Sequence, residues 1–96
     1  MTYNEALEVV DNNQKIIGKR INGARIDEII IHPVNVKQWE EFSRSYVQSL
    51  NAHNALLPFL GSDLGVSVVL DKQKIRSHSV FFYTSIDRAV NEQDIE

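Results

Sequence analysis

Ser67, His78 and Asp63 are the residue types of a nucleophile, a base and an orienting acid, and the chemistry they would serve is hydrolysis of an acyl bond. Placing them depends on a hairpin. If Leu70 opposes Ile75 across the turn Asp71-Lys72-Gln73-Lys74, then Ser67 opposes His78 on one face of the sheet. Working catalysis also needs an oxyanion site, and no Gly-x-Ser-x-Gly elbow or similar strained turn surrounds this serine. The expectation is therefore an ordinary polar cross-strand pair and no enzyme. Asp63, within Gly61-Ser62-Asp63-Leu64-Gly65, reads as a turn residue whose side chain caps its own backbone.

Other reactive groupings are excluded more simply. The chain has no cysteine, which removes disulfides, thiolate metal sites, iron-sulfur clusters and a cysteine nucleophile. His32, His53 and His78 fall in no zinc-type spacing, so no metal and no cofactor are expected. Asp27-Glu28 and Glu40-Glu41 are neighbours in sequence. In a strand such neighbours point to opposite faces, and in a helix they stand about 100° apart, so neither pair forms a general acid and base.

Two basic segments suggest a different chemistry, the recognition of phosphate. Lys15, Lys19, Arg20 and Arg25 lie together without an acid among them, and Lys72, Lys74 and Arg76 cluster around the second turn. An Asn22-Gly23 turn sets Arg20 opposite Arg25, a like-charge pair that an anion would relieve. Against nucleic acid stand the net charge of −3 and the lack of aromatic residues among these cations. Nucleic-acid binding through the basic hairpins is thus the alternative function. The leading one is protein binding, including self-association through a sheet edge or through the apolar stretch containing Leu56, Leu57, Phe59 and Leu60.

The elements that must position these residues follow from local signals. Thr2 and Glu5 have capping-box spacing and predict a helix over residues 3–12, closed by Asn12-Asn13. Residues 14–32 are isoleucine-rich around Asn22-Gly23, the dipeptide suited to a type I′ turn, and predict a hairpin burying Ile17, Ile21, Ala24, Ile26 and Ile30 on one face. Asn35 caps a helix whose Val36, Trp39, Phe42, Tyr46, Val47 and Leu50 recur at helical spacing. Residues 53–65 are an apolar irregular joint containing one helical turn. Residues 66–70 and 75–84 predict a second hairpin, and Ser85 caps a last short helix.

The fold class expected is α+β, in the order helix, hairpin, helix, hairpin, with a four-stranded, mainly antiparallel sheet and helices packed on one face. Its 96 residues make one domain, with residues 91–96 as a frayed tail. The N-terminus lacks a basic region followed by an apolar run, and no apolar stretch is long enough to span a membrane, so a small cytoplasmic regulatory module is expected.

Overall fold

The structure, a computed structural model, describes residues 1–49, 51–72, 83–85 and 95. The chain is an α+β protein in the order α1 (Tyr3–Asn12), β1 (Arg20–Ile21), β2 (Ala24–Pro33), α2 (Val36–Ser49), α3 (Ala52–Leu56), β3 (Leu64–Leu70) and β4 (Tyr83–Ser85). Short 3₁₀ turns occupy Gln14–Ile16 and Leu57–Phe59. No helix among the described residues is long and apolar enough to cross a membrane.

Helix α1 begins as its capping box requires. The Thr2 hydroxyl accepts from Glu5 N at 3.2 Å, and the Glu5 carboxylate accepts from Thr2 N at 3.0 Å. Its end differs from expectation: Asn13 stays at φ −114° and caps with its side chain, donating Nδ2 to Val9 O at 2.8 Å. Asn35 starts α2 by accepting from Lys37 N and Gln38 N. The apolar stripe of α2 then seats Phe42, Tyr46 and Val47 in the core, with Trp39 half-buried. Val36, placed on that stripe by spacing, is 74% exposed, and Leu50 lies outside the described residues.

Asn22 and Gly23 take φ +49° and +82°, the two left-handed positions of a type I′ turn, and pair Arg20 with Arg25 and Ile21 with Ala24. The hairpin is shorter than its isoleucine pattern implies. Gly18 at φ +91° turns the chain off the ladder, residues 14–16 coil into a 3₁₀ turn, and Ile16 is buried while Ile17 is exposed. The sheet proper therefore has three antiparallel strands, β2, β3 and β4, rather than four. The two-residue β1 pairs only with the first end of β2 in a ladder of its own. Ile95, in the stretch expected to fray, makes an antiparallel bridge with Ile21.

A bulge between Ile26 and Glu28 changes which way β2 faces. Ile26 opposes Leu70 and joins Ile16, Ile21 and Val68, whereas Ile30 opposes Ser67 and packs beneath α2. The single isoleucine face expected from alternation is thus split between the two sides of the sheet. Helices occupy both sides rather than one. Trp39, Phe42 and Tyr46 of α2 cover the Glu28, Ile30 and His32 face, and α1 crosses β2 and β3 on the other, beside Leu64 and Val66. Both faces of the sheet are buried.

Candidate binding cleft beside β2

β2 is ten residues long, but β1 covers only its start. Beyond Ile26, no strand among the described residues lies on the side of β2 away from β3. A cleft of about 550 Å³ occupies that side. Its floor is made of Glu28, Ile29, Ile30 and Ile31, four consecutive residues drawn from both faces of the sheet, so the cleft views the strand from its edge. Tyr3 and Val10, one face of α1 two turns apart, form one wall. The opposite wall is the joint of α2 and α3: Ser49, Asn51, Ala52, His53 and Leu56. Asn51 shapes that wall by capping α3, accepting from His53 N and Asn54 N.

At one end of the floor the charges are already matched. Glu28 Oε2 accepts from Lys72 Nζ at 2.5 Å and from the Tyr46 hydroxyl at 2.9 Å, and Lys72 lies 5.4 Å from the centre of the Tyr46 ring. Burial, reinforced by the hydrogen bond to Glu28 and by the charges of Glu28 and Asp27, pushes the Tyr46 hydroxyl far above the ordinary tyrosine range. Tyr46 is therefore a fixed donor. Lys72 is held there because the chain beyond β3 is tied to β2: Asp71 N donates to Arg25 O, and Lys72 N to Asp27 Oδ2.

That tie also changes the register expected for the second hairpin. Asp71 turns through φ +47° toward β2, and the described part of β4 pairs Ser67 with Ser85 and Val69 with Tyr83. Ser67 stands between Ile30 and Ser85 in the sheet, and His78, its expected partner, lies outside the described residues. The histidine on Ser67 is His32, Nε2 to Oγ 2.6 Å, with Nδ1 2.8 Å from Pro33 O. Both residues are buried beneath Trp39 and Phe42, and neither lines the cleft. Burial lowers the His32 pKa, opposed by the hydrogen bond with Pro33. Asp63 is at the surface, where it binds the N-terminal ammonium at 2.5 Å; that hydrogen bond, then the ammonium charge and a smaller contribution from the neighbouring Leu64 backbone, hold its carboxyl below the usual range.

The basic residues are divided and largely engaged. Arg20 Nη1 donates to Gly23 O at 2.9 Å, Arg25 Nε meets Asp27 at 2.7 Å, and Lys72 is paired with Glu28. The Arg20 and Arg25 register is the expected one, with Arg20 held by a carbonyl and Arg25 by one acid, Asp27. Lys15 and Lys19 are exposed around the 3₁₀ turn, and Lys74 and Arg76 lie outside the described residues. In the apolar stretch, Leu56 is buried in the cleft wall, Phe59 packs partly against the core, and Leu57 and Leu60 face outward at 50% and 39%.

Sequence reasoning gave no binding role to Tyr3, Val10 or His53; it singled out Leu56 and a sheet edge, without saying which edge. One signal pointed there: Gly18 stands where a first strand matching β2 in length would have to continue. Neither a protein-family model, nor a curated protein, nor a solved structure matches this chain.

Proposed function

We propose that this domain is a protein-binding module without catalytic activity and that its ligand surface is the cleft between α1 and α3. The observation that carries the reading is the side of β2 at residues 28–31, unpaired among the described residues and set as the floor of a recess with one apolar and one mixed wall. The recess explains why the edge is tolerated. An exposed strand edge invites aggregation, and proteins protect such edges by flanking them with helices. The cleft volume falls in the range of small-ligand and peptide sites, and its lining mixes apolar groups with a few hydrogen-bonding ones.

The test is selection of phage-displayed linear peptides against the immobilised protein, followed by affinity measurements on a cleft variant and a control. His53→Trp fills the mouth of the cleft from an exposed helical position, and Leu57→Asp alters an exposed apolar residue outside it. The reading expects peptides whose affinity drops about tenfold or more with His53→Trp and holds with Leu57→Asp. Peptides sensitive only to Leu57→Asp would move the binding surface to the apolar stretch, and no selectable peptide would end the reading.

A further inference from the structure

Resting on that reading, we infer that the cleft takes an extended segment of a partner protein as an added strand, hydrogen-bonded to the outer main-chain edge of β2 at residues 28–31. In an antiparallel pair every second residue turns its N–H and C=O toward the neighbouring strand, and the residues between turn theirs the other way. Because β3 takes one set, the other points into the cleft floor. Main-chain groups must be paired wherever water is excluded, so the floor selects an occupant that brings a main chain of its own. Four strand residues span about 13 Å, room for a short extended segment.

Electrostatics agree with a neutral main chain. Glu28 is the one acidic or basic side chain of the lining among the described residues other than His53, and its Oε2 already holds Lys72 and Tyr46. Nothing in the cleft draws a polyanion. A single extended segment, rather than a second folded copy, is the occupant suited to a recess walled by α1 and by the joint of α2 and α3. Its alternate side chains would face Tyr3 and Val10 on one side and Ser49, Asn51 and His53 on the other, so the preferred ligand alternates apolar with small hydrogen-bonding residues.

The experiment uses the peptides selected above on the full chain. Each peptide position is N-methylated in turn, and amide hydrogen exchange of β2 is followed with and without peptide. Strand addition expects binding to fall tenfold or more at every second peptide position, with slowed exchange at alternate residues among 28–31. Peptides that bind in a His53→Trp-sensitive way but tolerate N-methylation throughout, with β2 exchange unchanged, overturn strand addition and leave the binding module standing. Absence of any peptide sensitive to His53→Trp overturns both.

Discussion

Ser67 Oγ lies 2.6 Å from Nε2 of His32, while Nδ1 of the same ring lies 2.8 Å from the carbonyl oxygen of Pro33. A carbonyl can only accept, so Nδ1 carries the proton and Nε2 accepts from the serine hydroxyl. Both nitrogens of a neutral imidazole are thereby used, in a buried site where Trp39 meets the ring edge-on at 4.8 Å. The pair fastens β2 to β3 below α2.

Acid should loosen this fastening. The folded-state pKa of His32 is lowered, so below the ordinary value of 6.5 the unfolded chain takes up a proton that the folded chain does not. Stability is then full above that pH and declines below it, by up to about 1.4 kcal/mol per pH unit until the folded pKa is reached. Urea unfolding at about pH 7.5 and about pH 5.5 should show the decline, and His32→Gln should flatten it. An equal decline in His32→Gln would assign it to other groups.

Gly65 is needed for space rather than for backbone freedom. A Cβ there would lie 2.8 Å from Val34 Cγ1 and 3.3 Å from His32 Cε1. Gly65→Ala should cost about 1–3 kcal/mol by overpacking. Adding Val34→Ala should recover much of that loss, since it removes the closest contact. Additive losses in the double variant, measured by chemical unfolding, would show that the clash is not the cause.

The Tyr46 hydroxyl should resist ionisation. Its folded-state pKa is raised, so its stabilising contribution is present below the unfolded value of about 10 and is lost as pH rises above it. In an alkaline absorbance titration of the native protein, one tyrosine should ionise only with unfolding, and Tyr46→Phe should abolish that late phase. The same variant should cost about 0.5–1.5 kcal/mol at neutral pH through the lost hydrogen bond to Glu28.

Adjacent leucines should behave oppositely. Leu56 is buried in the core and Leu57 is half exposed. Leu56→Ala should cost about 2–5 kcal/mol, whereas Leu57→Ala should stay within about 0.5 kcal/mol. Thermal or urea unfolding separates the two, and a large loss at Leu57 would place it in contact with a surface not yet identified.

Features governed by near neighbours were legible from residue order. The Thr2 and Glu5 box, the Asn22-Gly23 turn with its Arg20 and Arg25 register, and the Asn35 cap each involve groups within a few positions of one another, so local stereochemistry decides them. The stripe of α2 was equally readable, because a helix repeats its facing every few residues. What failed was extrapolation along a strand. Alternation predicts one face for Ile26 and Ile30, but a bulge opposite Leu70 and Val69 shifts the phase by a residue.

The sequence by itself determined the α+β class, the helix starts, the first turn and the absence of thiol chemistry. Tertiary structure decided the rest: where β1 stops, which histidine holds Ser67, and that a cleft between two helices borders β2 at residues 28–31. Each of these depends on hydrogen bonds or packing between residues far apart in the chain, which local propensity does not encode. The cleft is the extreme case. Its floor is the side of β2 away from β3, and its walls come from helices on opposite faces of the sheet.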